Sequence, residues 1–115
     1  MQLRSFYSAP AALLLAFNDE ATPTAVVGLR VLDGTTGELR RLFVRPPARA
    51  AGLGRGLTEA VIDGARAQGL RRLVLNTLPT MVHAQALYRS MGFDLVEPYV
   101  NDPTDGVLYF ALDLT

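Results

Sequence analysis

The stretch Val44-Arg45-Pro46-Pro47-Ala48-Arg49-Ala50-Ala51-Gly52-Leu53-Gly54-Arg55-Gly56-Leu57 decides how this chain reads. The apolar residues leading into it end at Pro46-Pro47, because proline cannot continue a strand ladder. Glycines at 52, 54 and 56 then make a turn, and an amphipathic pattern starts inside it. Leu53, Leu57, Ala60, Val61, Gly64, Ala65 and Gln68 fall at spacings of three and four, with Glu59, Asp63 and Arg66 on other faces. Gly69 is a natural terminator for that helix. A strand that enters a helix through glycines presents backbone N–H groups and the positive helix end at one place, which suits an anion. Arg49 and Arg55 add forked donors. No Gly-Lys-Ser/Thr follows, so this is not a nucleoside-triphosphate loop, and the glycine spacing is not that of a dinucleotide fingerprint.

Working outward, residues 70–77 contain Leu73-Val74-Leu75, apolar on both faces as in a buried central strand. With a strand over 38–44 and the helix between them, they form a strand–helix–strand unit whose two strands are expected to be parallel neighbours. Upstream, runs at 12–17 and 25–32 precede the strand at 38–44. Turn signals at Asn18-Asp19-Glu20, Asp33-Gly34 and Gly37 separate them, and the short connections predict an antiparallel meander. Downstream, a second helix follows Pro79, with Thr80 as its cap and Ala84, Leu87, Tyr88 and Met91 on one stripe. Gly92 suits the left-handed position after the last turn, with Phe93 packing back on it. Strands at 94–99 and 107–114 complete one mixed α/β domain: a strand–helix–strand–helix core flanked by antiparallel strands.

Composition narrows the chemistry. At 115 residues and 50% hydrophobic content, the chain makes one folded domain rather than a disordered segment. A net charge of zero argues against a general nucleic-acid binder. All eleven basic residues are Arg. There is no Cys and one His, which leaves no thiolate or multi-histidine metal site. The longest apolar run, 9–17, is too short to span a bilayer, and the expectation is a soluble cytoplasmic domain without a membrane partner.

Two motifs in order resemble a known family. Arg49-Ala50-Ala51-Gly52-Leu53-Gly54 is similar to the Arg/Gln-x-x-Gly-x-Gly/Ala motif of the GNAT superfamily of acyl-CoA-dependent N-acetyltransferases. Ala84-Gln85-Ala86-Leu87-Tyr88-Arg89-Ser90-Met91-Gly92-Phe93 resembles that family's Ala-x-x-Leu-Tyr-x-x-x-Gly-Phe element. The resemblance implies a GNAT-like mixed sheet and transfer of an acetyl group from acetyl-CoA to a primary amine of a small molecule or protein, with no metal. It implies that backbone of Leu42, Phe43 and Val44 pairs with the pantetheine arm where two parallel strands splay apart. Backbone N–H groups of Arg49, Ala50, Ala51, Gly52, Leu53 and Gly54, with Arg55 and Gly56, would hold the pyrophosphate. Tyr88 would be the general acid for the departing thiolate; without the resemblance, its place on an apolar stripe reads as that of a core tyrosine.

Glu38, at the start of the strand entering the motif, is the candidate base, or else a solvated strand-end residue. Asn76 would bind cofactor or cap the turn that follows it. His83 reads as a solvent-facing helix residue. The family often has Asn where this chain has Met81, and its usual first strand and two helices are absent here or reduced to residues 1–8. That leaves the 12–17 strand near the sheet edge, with a homodimer as the expected cover. The competing readings are a non-catalytic acyl-CoA-binding module and a nucleotide-binding α/β domain of another kind.

Overall fold

The computed structural model describes residues 2–8, 11–17, 23–44, 53–100 and 106–115. Its elements are β1 (Gln2–Ser8), β2 (Ala11–Phe17), β3 (Pro23–Val31), β4 (Thr36–Val44), α1 (Leu53–Ala67), β5 (Arg72–Thr77), α2 (Val82–Ser90), β6 (Asp94–Val96) and β7 (Leu108–Asp113). The strands form one seven-stranded sheet in the order β1-β2-β3-β4-β5-β7-β6. β1 to β4 are an antiparallel meander, β4 and β5 are parallel, and β7 runs antiparallel to both β5 and β6. The expected meander, the parallel pair and the mixed α/β class are all present.

Both helices pack on one face. Alternation along each strand sends Val27 and Leu29 of β3, Leu39 of β4, Leu73 and Leu75 of β5 and Phe110 of β7 to that face. There they meet Leu57, Val61 and Ala65 of α1 and Tyr88 of α2, all buried. A Val, Leu or Phe side chain taken wholly out of water contributes roughly 1.5–3 kcal/mol before conformational entropy is set against it. The opposite face carries Arg30, Glu38, Arg40, Val74, Asn76 and Tyr109 by the same alternation.

Several local features differ from the sequence expectation, each with a cause. Residues 2–8 are a regular strand paired with β2 along its length, so β1 is the sheet edge and β2 is internal. Gly37 lies in β4 rather than in the hairpin loop, opposite Val31. A Cβ there would stand 2.8 Å from Leu29 Cδ1 and 2.9 Å from Leu70 Cδ1, so any side chain at this position has to displace the ends of two buried leucines. The loop itself is tied by Asp33, whose Oδ1 accepts from the backbone N–H groups of Thr35 and Thr36, each at 2.8 Å.

α1 ends as expected, with Gly69 at φ +79° and its N–H bonded to the Arg66 carbonyl. Gly92, at φ +97°, closes α2, and the Phe93 N–H returns to the Tyr88 carbonyl. Thr80 is not the cap of α2. The turn after β5 delays the helix, so Met81 occupies the cap position without a side-chain bond. The buried Gln85 steadies that turn instead, its Nε2 donating to the Leu78 carbonyl at 2.9 Å and the Pro79 carbonyl at 3.4 Å. β6 stops at Val96 rather than reaching 99, and Pro98 supplies no N–H to extend it.

Candidate active site

The parallel ladder between β4 and β5 is short. It runs Thr36 to Arg72, Gly37 to Leu73 and Glu38 to Val74, and stops there, although β4 continues to Val44 and β5 to Thr77. On its other side β4 stays paired with β3, but through an irregular register. β3 advances from Val26 to Gly28 while β4 advances from Arg40 to Phe43, so β4 holds an extra residue and bends. The result is an opening in the middle of the sheet, bordered on one side by 39–44 and on the other by 75–77. Leu42, Phe43 and Val44, expected to offer backbone to an extended ligand, are on that border.

α1 begins earlier than the glycine pattern suggested. Leu53, Gly54, Arg55 and Gly56 are its first turn and not a loop before it. Their N–H groups are the four that an α-helix leaves without an intrahelical acceptor, and they sit at the positive end of its dipole. Arg49, Ala50, Ala51 and Gly52 lie outside the described residues. A Cβ on Gly54 would meet Leu87 Cδ2 of α2 at 3.5 Å, so this glycine faces the second helix. The exposed Arg55 guanidinium donates through Nη2 to Ser90 Oγ at 2.6 Å, and Ser90 Oγ donates to the Leu87 carbonyl at 2.6 Å. That bond uses part of the fork and holds Arg55 across the ends of both helices.

Tyr88 is 4% exposed, with Phe93 and Phe110 against its ring at centroid distances of 5.6 and 6.4 Å. Burial pushes its phenol up to about 12, so the hydroxyl is protonated throughout the neutral range. It makes no hydrogen bond among the described residues. The Thr77 hydroxyl, buried at the end of β5, is also without a partner among the described residues. A buried hydroxyl left unpaired costs free energy that a ligand can offset, and Thr77 stands on the border of the opening. The first-turn N–H groups, which have no intrahelical acceptor, and the borders of β4 and β5 past the end of their ladder, unpaired with each other among the described residues, suit the pyrophosphate and the amide-bearing arm of an acyl-CoA.

Glu38 is not a solvated strand end. It is 6% exposed and closes the parallel ladder on the face away from the helices. It lines a cleft of about 530 Å³ together with Arg30, Leu32, Leu39, Arg40, Asn76 and Val100. Tyr99 donates its hydroxyl to Glu38 Oε2 at 2.7 Å, and Asn76 Nδ2 donates to the Tyr99 oxygen at 3.2 Å. Arg40 Nε lies 3.4 Å from Glu38 Oε1. Asn76 therefore does not cap the turn after β5. The structure brings Glu38 and Asn76 into one network and places Tyr88 with the helices, on the other face.

Sequence reasoning did not reach Tyr99, Thr77 or Gln85 as site or support residues. Tyr99 follows Pro98 in a segment without periodicity, and its partner Glu38 is far away in sequence. His83 is exposed, as expected. Among the described residues there is no group of side chains that could hold a metal ion, and no helix is long and apolar enough to cross a membrane.

Comparison with known proteins agrees with this architecture. Residues 2–93 match the model of the acetyltransferase (GNAT) family. An uncharacterised N-acetyltransferase of Schizosaccharomyces pombe is 34% identical over 111 residues, covering 95% of this chain and 68% of that protein. The mycothiol acetyltransferase of Beutenbergia cavernae is 39% identical over 85 residues, 73% of this chain and 29% of that one. Among solved structures, a GNAT family acetyltransferase of Elizabethkingia anophelis with acetyl-CoA bound superposes with a TM-score of 0.77 at 19% identity, over 90% of this chain and 76% of the other.

Proposed function

Because the chain belongs to the acetyltransferase (GNAT) family, we propose that it transfers an acetyl group from acetyl-CoA to a primary amine bound in the cleft beside Glu38. The observation that carries this reading is the opening between β4 and β5, with a buried carboxylate at its closed end. Acetyl-CoA supplies an activated acyl carbon as its thioester. Backbone of Leu42, Phe43 and Val44 would hold the pantetheine arm, and the first-turn N–H groups of α1 with Arg55 would hold the pyrophosphate.

The amine, approaching from the Glu38 face, loses a proton toward that carboxylate, directly or through water. Its nitrogen attacks the thioester carbonyl, the C–N bond forms, and the C–S bond breaks as the tetrahedral carbon collapses. Tyr88, protonated at neutral pH, gives its proton to the departing sulfur, and the second proton shed by the attacking nitrogen returns to the phenolate, leaving the neutral amide, free CoA thiol and a protonated Glu38 that releases its proton to water. The cleft is of small-molecule size, so a small amine is favoured over a long peptide segment. Self-association and a cytoplasmic location belong to the same proposal.

The deciding experiment is a panel of small amines and peptides incubated with acetyl-CoA, with free thiol as the readout. Amine-dependent thiol release is expected. Tight binding of CoA without release on any acceptor would leave an acyl-CoA-binding module in place of an enzyme.

A further inference from the structure

Tyr99 enters the site from a part of the chain that the family motifs do not include. It stands after β6, where Pro98 has ended the strand, and it turns back over the open face of the sheet. Its ring meets Tyr109 of β7 edge-on at a centroid distance of 5.2 Å. Its hydroxyl is held at both ends, accepting from Asn76 of β5 at 3.2 Å and donating to Glu38 of β4 at 2.7 Å. The shorter bond runs to an ionisable oxygen, as a charge-assisted bond does. Three separate strands thus converge on a single phenol.

We propose that Tyr99 is a positioning residue for the acetyl transfer: with Asn76 behind it, it fixes the Glu38 carboxylate so that one oxygen is committed to the protein and the other faces the cleft. This rests on the reading of Glu38 as the base. A carboxylate offers about four lone-pair sites. Tyr99 takes one on Oε2, and Arg40 lies near Oε1 at the longer distance of 3.4 Å. Sites on Oε1 remain for an amine proton. Without Tyr99 the side chain would be free to rotate toward Arg40 or toward Arg30, its cross-strand neighbour on β3. Either rotation misaligns the base, and misplacement of a catalytic group on this scale is costly to rate. The one proton of the Tyr99 hydroxyl is committed to Glu38, so Tyr99 acts through that carboxylate.

A double-mutant cycle on the full chain tests this, using the best acceptor from the amine panel. Tyr99→Phe keeps the ring and its contact with Tyr109. It is expected to lower kcat about tenfold, with KM for acetyl-CoA within about twofold of the parent. In a Glu38→Gln background the same change is expected to cost nothing further, because its only route of action has been removed. An equal loss in both backgrounds makes Tyr99 merely structural and overturns the proposal. Parental turnover in Glu38→Gln removes the base reading instead, and this inference with it. Asn76→Ala, at an exposed position, is expected to give a smaller loss with the same non-additivity.

A readout without substrate supports or sinks the same idea. Burial and the bond to Glu38 both hold the Tyr99 phenol above its ordinary range, with Asn76 opposing them and the Glu38 and Tyr109 charges adding to them. Followed by carbon NMR of the tyrosine ring, Tyr99 is expected to ionise at lower pH in Glu38→Gln than in the parent. An unmoved titration means that the two groups are not coupled in solution, and the proposal falls.

Discussion

Tyr88 shows how one residue serves packing and chemistry together. Its ring is part of the core and its hydroxyl is the proposed proton donor. Tyr88→Phe keeps the ring, so CoA affinity measured by calorimetry should stay within about twofold. Turnover should fall on the order of 100-fold, since the hydroxyl acts only as the thiolate forms. A kcat within a few-fold of the parent would make Tyr88 a core residue alone. The raised phenol also sets a sign for stability. Tyr88 ionises near 10.0 when unfolded and near 12 when folded, so the folded state binds the extra proton between those values. Its contribution is complete below about pH 10 and is lost as pH rises toward 12. Tyr88→Phe should therefore flatten the fall of Tm in that window, which alkaline melts will read. Tyr88 was legible in the sequence because a local motif surrounds it. Tyr99 was not, because the bond that matters joins residues 38 and 99 across the sheet and leaves no trace in local spacing.

At the scale of elements, the same residue type has opposite values in two places. Gly64 sits inside α1 with open space where a Cβ would be. Gly64→Ala should raise stability by about 0.5–1 kcal/mol through helix propensity. Gly37 has the two leucine methyls less than 3.0 Å from its virtual Cβ. Gly37→Ala should cost about 1–3 kcal/mol, with the leucine ends shifting to make room. Chemical denaturation of the two variants should move the midpoint in opposite directions. The β3–β4 hairpin adds a prediction on pH. Two backbone N–H groups and the Thr35 hydroxyl hold the Asp33 carboxyl below its ordinary 3.8. Its contribution is present above that value and lost as pH falls through the lower folded one. Asp33→Ala should lower Tm at pH 7, and the gap to the parent should close in acid. Apart from β1, element identity was readable from periodicity and turn residues. The ends of β4, β6 and α2 were not, because they depend on a register, a proline in an edge strand and a turn that Gln85 holds from four residues inside the helix.

At the scale of the molecule, the meander and the parallel pair followed from short connections and one crossover, the opening was expected only from the family resemblance, and the insertion of β7 between β5 and β6 left no sign in the sequence. What the sequence could not show is which strand forms the edge. The 1–8 segment has no clear alternation, yet it pairs with β2 from Gln2 to Ser8, and β1 now presents the outer row of backbone groups. The edge opposite is β6, whose three residues offer little for pairing. A long edge strand is a ready template for another strand, and two copies related by a twofold axis would pair β1 against β1. Sedimentation at micromolar concentration should therefore give twice the mass of the chain. Proline substitutions at two adjacent positions of β1 separate pairing from folding. In an antiparallel strand, successive N–H groups point to opposite sides, so of Arg4→Pro and Ser5→Pro one removes a donor to β2 and the other only a donor to the outer row. The second should give a monomer with the parental circular dichroism spectrum and an intact CoA site. A parent chain that sediments as a single monomeric species would leave β1 a solvated edge and place the whole acceptor cleft within one chain.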